Sequence, residues 1–215
     1  MHATVRDVMS TRVIVVRQSA PYKDMAAMLR QQRVSAFPVI DDDHRVIGVV
    51  SEGDLLAKKV FDGSSPEAAQ GTLRRRDHDK AAAVTAAELM TTPAVTIGPD
   101  APVTEAARLM YSRRVKRLPV TSEDGTLIGI VSRADVLSVY NRADADIQRE
   151  ISQDLITGVF LCDPARFTVI VKDGVVTLEG APESAAIGRD LADAARHVEG
   201  VVAVRDRLSY PPEAG

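Results

Sequence analysis

The sequence is poor in the residues that most often announce chemistry. It has one cysteine, Cys162, no tryptophan, and only 4% aromatic residues among 215. A single thiol excludes an intrachain disulfide framework and fits a reducing compartment. With so few aromatics, any core must be aliphatic and rich in alanine. The four histidines, His2, His44, His78 and His197, are scattered and show no metal-ligand spacing. No Gly-rich phosphate loop of the Walker or dinucleotide type occurs, and no nucleophile–base set stands out. The opening MHATVRDVMSTR has no apolar stretch, so no secretory signal is read. The apolar runs fall far short of a membrane span. These absences predict a cytoplasmic protein without catalytic residues, metal ligands or an obligatory cofactor.

The net charge is small, at −3, but charge is unevenly spread. Residues 1–143 carry 20 Lys and Arg against 17 Asp and Glu; residues 144–215 carry 7 against 13. The net charge gives no pull toward nucleic acid, and the last third is acidic.

What the chain does have is a repeat. Residues 5–56 lie over 86–137 without a gap, at a constant offset of 81. Met9 falls on Met90, Pro21 on Pro102, Pro38-Val39 on Pro119-Val120, and Ile47-Gly48 on Ile128-Gly129. Ser51 falls on Ser132, and Asp54 on Asp135. A repeat of this size implies two related modules with two related clefts. Each copy has the same order of signals. A β-branched run (Val13–Val16, Ala94–Ile97) precedes a helix with Pro at its first turn. Met25, Met28 and Met110 follow helical spacing as core or cleft wall. Two strands joined by a polar turn then end at Ser51 or Ser132, where a helix begins as if from an N-cap. The unit reads β-α-β-β-α. Between the copies, Gly63-Ser64-Ser65-Pro66 ends the helix begun at Ser51. Arg74-Arg75-Arg76 reads as a solvated run, or as a contact for a phosphate or an acidic partner.

Residues 144–212 do not share the repeat. Ile147, Ile151 and Leu155 form one stripe of a helix over Asp146–Phe160. Phe167, Val169 and Val171 alternate up to Asp173-Gly174, a strong hairpin dipeptide. A second strand, a helix over Ser184–His197 and a last strand over Val201–Leu208 follow. The order α-β-β-α-β predicts a small sandwich with both helices on one face of the sheet.

The repeats resemble a tandem pair of CBS domains. The residues that carry the resemblance are Asp7-Val8-Met9-Ser10, Val34…Pro38-Val39, IGVVSEGDLL and IGIVSRADVL. The last third resembles a BON domain, through VIVKDGVVTLEGAP and VEGVVAVRDRL. The expected organisation is a first CBS module over 1–60, a linker over 61–85, a second CBS module over 86–141 and a BON-like domain over 144–212. The implied fold class is α+β. Two β-α-β-β-α modules pack as a pseudo-two-fold pair, beside the small sandwich. The resemblance implies a sensor whose clefts take an adenosine compound (AMP, ADP, ATP or S-adenosylmethionine) as a regulatory ligand. It also implies a homodimer through the CBS pair.

A nucleotide needs a carboxylate for its ribose diol, cations and a helix N-terminus for phosphate, and apolar walls for adenine. Ser51-x-x-Asp54 and Ser132-x-x-Asp135 can supply the first two, with the Asp on ribose as the family implies. The plainer reading of Ser-x-x-Asp is a helix cap with a favourable first-turn acid. Only the second copy has cations just before its Pro-Val strand, at Lys116 and Arg117; the first has Ser35 and Ala36 there, and Glu52 in place of Arg133. The second cleft, with Lys116, Arg117, Ser132 and Asp135, is therefore expected to bind more tightly. The first, with Ser51 and Asp54, is expected to be weaker or empty. The functional expectation is a regulatory protein that passes its ligand state to an unidentified protein partner through the BON-like domain. The alternative is a non-catalytic structural or interaction protein with vestigial clefts, associated with envelope lipid through that domain. The acidic balance favours protein contact over anionic lipid.

Overall fold

A computed structural model of the chain describes residues 3–60 and 83–210. The helix break at Gly63–Pro66 and the Arg74–Arg76 run lie outside the described residues. The chain divides into two compact units, Val5–Arg133 and residues 134–215 with residues 1–4.

In the first unit, each copy of the repeat builds the same small sheet-and-helix module. The first contains α1 (Val5–Val8), β1 (Val16–Arg17), α2 (Tyr22–Gln32), β2 (Ala36–Ile40), β3 (Val46–Ser51) and α3 (Glu52–Val60). The second contains α4 (Ala86–Leu89), α5 (Val103–Ser112), β4 (Arg117–Thr121) and β5 (Leu127–Ser132), and leads into α6 (Arg133–Leu137), whose residues from Ala134 on fall in the other unit. β2 and β3 are antiparallel, as are β4 and β5, and the register slips after Val39 and again after its equivalent, Val120. Arg33 caps the C-terminus of α2, and its equivalent Arg114 follows the C-cap of α5, with φ of 53° and 56°.

The leading β-branched runs form less strand than their composition predicts. In the first copy only Val16–Arg17 pairs with β2, in parallel. In the second only Ile97 makes the equivalent bridge, to Val120. The residues before them run to the other copy instead: Ser10 bridges Ile130, and Thr91 bridges Val49. The two hairpins also meet at their tips, where Val46 N–H donates to Gly125 O (3.1 Å) and Leu127 N–H to His44 O (3.0 Å).

The same exchange appears in side-chain packing. A Cβ on Gly129 would lie 2.6 Å from Met9 Sδ, and one on Gly48 would lie 2.6 Å from Met90 Sδ. Each module thus seats its leading Met on the other module's glycine. Met25, Phe37, Val39, Val50 and Leu89 fill the first core, while Val103, Ala106, Met110, Leu118, Val120 and Val131 are buried in the second copy. Each such large aliphatic or aromatic side chain contributes about 1.5–3 kcal/mol of transfer free energy when buried.

The second unit holds α7 (Asp144–Glu150), which continues as π-helix over Ile151–Val159, then β6 (Phe167–Lys172), β7 (Val175–Gly180), α8 (Ala185–Arg196) and β8 (Ala203–Leu208). The order in the sheet is β6-β7-β8, with β6 and β7 antiparallel and β7 and β8 parallel. Asp173 and Gly174 turn the hairpin with φ of 51° and 73°, the left-handed pair a two-residue turn demands. Ser184 caps α8 by accepting Ile187 N–H at 3.2 Å. Ile147, Ile151, Val169, Val176, Leu178 and Leu191 close the core between the helices and the sheet. No helix among the described residues is long and apolar enough to cross a membrane.

Candidate functional site

The end of β3 and the start of α3 place Ser51 and Asp54 in the lining of a cavity of about 350 Å³. That volume lies at the low end of the range for small-molecule sites. Apolar wall comes from both copies: Val49 and Leu56 from the first, Ala94, Val95 and Val115 from the second.

Ser51 and Asp54 cap α3 reciprocally. Asp54 Oδ2 accepts from both the backbone N–H and the hydroxyl of Ser51, each at 2.7 Å. Asp54 N–H in turn points to Ser51 Oγ at 3.4 Å. This is the capping-box geometry, with the acid at the third helical position. The N-terminus of α3 and its partial positive charge therefore face the cavity beside these two residues.

The cations expected beside Ser132 and Asp135 also border the first cleft. Lys116 and Arg117 line the cavity that holds Ser51 and Asp54, together with Arg114. In the ladder the Arg117 backbone does lie opposite Ser132, but its side chain crosses to the first copy, where Nε donates to Ser35 Oγ at 3.0 Å. Nearness to Ser132 in the ladder thus does not keep the Arg117 side chain on its own copy. The first cleft thus has three cations against the carboxylates of Glu52 and Asp54. Ser132 ends β5, and Asp135 lies three residues on in α6, with its carbonyl accepting Ser138 Oγ at 2.6 Å. Arg133, which replaces Glu52 in the second copy, donates from Nε to Val115 O at 3.2 Å. Sequence reasoning passed over Arg114, Ser35 and Thr91 as lining residues. Only the three-dimensional pairing of the copies reveals them.

Cys162 is buried in the second unit, and burial pushes its thiol up from the ordinary range, with the nearby Glu183 carboxylate adding to the rise.

A duplicated β-α-β-β-α unit, joined hairpin to hairpin with a cavity lined by both copies, defines a tandem CBS-type pair. The chain belongs to the CBS domain family, which it matches over residues 5–60 and 86–142, and residues 143–212 match the BON domain. Over 160 residues it is 33% identical to the CBS domain-containing protein CBSX2, chloroplastic, of Arabidopsis thaliana, covering 68% of this chain and 66% of that one. It is 28% identical over 130 residues to an uncharacterized protein of Methanopyrus kandleri, covering 60% of this chain and 59% of that protein. The chain thus spans about three fifths to two thirds of the length of these relatives. The crystal structure of CBSX2 in complex with AMP superposes with a TM-score of 0.55 at 33% identity, covering 62% of this chain and 93% of that one.

Proposed function

We propose that the chain is a non-catalytic regulatory sensor that takes an adenosine nucleotide in the cavity of the first cleft. The observation that carries this reading is the shared lining: Ser51 and Asp54 from one copy, Arg114, Lys116 and Arg117 from the other. Asp54 would accept the ribose hydroxyls, and the cations with the α3 N-terminus would hold phosphate. Val49, Val95 and Val115 would flank the base. The AMP bound by CBSX2 supports the ligand class. Because both copies contribute, a bound ligand favours the arrangement of modules in which both reach it, and it can act only through that difference in affinity. In this reading the CBS pair forms a homodimer, and the BON domain conveys the state to a protein partner. Titration calorimetry with AMP, ADP, ATP and S-adenosylmethionine tests it, together with mass spectrometry of small molecules released from the purified protein.

One observation favours a second reading. Asp54 is already engaged by Ser51 N–H and hydroxyl, so the Ser-x-x-Asp pattern has a complete structural role without a ligand. A protein whose melting temperature does not move with any of the four compounds is an interaction protein with a vestigial cleft.

A further inference from the structure

The two edges of the BON-domain sheet are treated differently. At the β6 edge, Gln148 Nε2 donates to Val169 O at 2.8 Å, and Asp144 takes the N–H groups of Asp173 and Gly174 at 2.8 and 2.9 Å. The β8 edge has no strand partner among the described residues. Ser209 N–H reaches Gly180 O on β7 (2.8 Å), while Leu208 N–H turns instead to its neighbour Asp206 Oδ1 (3.0 Å). Alternation along the strand then directs the N–H and C=O of Val204 and Asp206 away from β7.

Charge is sorted across the same sheet. The register aligns Thr168, Glu179 and Arg207 in one row, Ile170, Thr177 and Arg205 in the next, and Lys172, Val175 and Ala203 in the third. These side chains form the face opposite the helices. That face has three of the seven Lys and Arg in residues 144–215 but only one of the thirteen acids. Arg207 reaches that acid, Glu179, at 3.3 Å, and both remain substantially exposed. An acidic domain thus shows one basic face, and its two arginines stand on the open edge strand. Antiparallel pairing of β8 with a second copy of itself would bring like charges together, which is disfavoured.

We propose that β8 is a docking strand for an extended acidic segment of a partner protein. The segment adds to the sheet through the outward groups of Val204 and Asp206, and it places carboxylates at alternate positions against Arg205 and Arg207. Main-chain pairing supplies affinity and the alternating acids supply selectivity. No aromatic side chain stands on this face for bases to stack on, which disfavours single-stranded nucleic acid. The proposal gives the relay reading its partner-facing surface, but it is tested without nucleotide, so the two can fail separately.

The test uses the full chain and a labelled ten-residue peptide of alternating Glu and Val, followed by fluorescence anisotropy. Saturable binding is expected, with slowed hydrogen exchange at the N–H groups of Val204 and Asp206. The pair Arg205→Glu and Arg207→Glu is expected to weaken binding about tenfold or more, and the pair Arg205→Lys and Arg207→Lys to retain most of it. A peptide N-methylated along its pairing edge should bind as poorly as the charge-reversed variant, which keeps the test independent of how that variant folds. Equal binding of the N-methylated peptide, or of one with Lys for Glu, overturns the proposal. So does preferential binding to phosphatidylglycerol vesicles without protection on β8, which would make this face a membrane contact.

Discussion

Arg117 Nε donates to Ser35 Oγ at 3.0 Å across the boundary between the two copies of the repeat. This bond explains why the copies cannot be read as two self-sufficient halves. A cation encoded in the second module is anchored by a hydroxyl of the first, beside that module's Ser51 and Asp54. Substitution at Ser35 is therefore expected to alter a cavity whose acidic member it does not touch. Ser35→Ala should weaken AMP binding by less than Arg117→Ala does, because it frees the guanidinium without removing its charge; calorimetry on both variants checks the order.

The exchange of methionines makes a stability prediction. Gly129→Ala places a methyl 2.6 Å from Met9 Sδ and 3.2 Å from the Ser10 carbonyl, whereas the three atoms nearest a methyl on Gly48 all belong to the side chain of Met90. Overpacking of this kind costs about 1–3 kcal/mol. Gly129→Ala should be the more damaging of the two, since a backbone carbonyl yields less readily than a thioether. In a urea-denaturation double-mutant cycle, its penalty should shrink when Met9 is also changed to Ala.

In the BON domain, Asp144 holds the β6–β7 turn by accepting the N–H groups of Asp173 and Gly174. Asp144→Ala should cost about 1.5–3 kcal/mol, the range for hydrogen bonds to a charged group. Faster amide exchange confined to Asp173 and Gly174 would accompany it.

Asp124 supplies a pH signature. Hydrogen bonds from the Ser122 hydroxyl and from Thr126 hold its carboxyl down at about 2, against an ordinary value of 3.8. A depressed carboxyl stabilises the fold above its unfolded-state pKa, and that contribution is lost as pH falls through the folded-state value. Wild type should therefore exceed Asp124→Asn in urea midpoint at pH 5, and the gap should close on acidification through about 2.

Most of the fold was legible because local rules and the repeat agreed. Ser184 as a cap and Asp173-Gly174 as a turn follow from side-chain and backbone preferences that neighbours do not override. The shortened strands at Val16–Arg17 and Ile97 were not legible, since β-branched residues specify extended chain but not which neighbour it pairs with. That Lys116 and Arg117 also border the first cleft was not legible for the same reason. The offset of 81 aligned Lys116-Arg117 with Ser35-Ala36 correctly, yet alignment cannot say that the Arg117 side chain reaches Ser35 in the other copy. The capping of α3 was foreseen as the plainer role of Ser51 and Asp54, and the structure realises it.

Whether one cavity draws its binding groups from both copies is tested most directly by calorimetry with AMP on four proteins: wild type, Asp54→Ala, the pair Lys116→Ala and Arg117→Ala, and Asp135→Ala. The first two changes should each weaken the same binding event by about tenfold or more, as expected for charged hydrogen-bond partners, while Asp135→Ala should leave it near wild type. Unchanged binding in Asp54→Ala, with the loss confined to Asp135→Ala and the cation pair, would contradict a shared cavity.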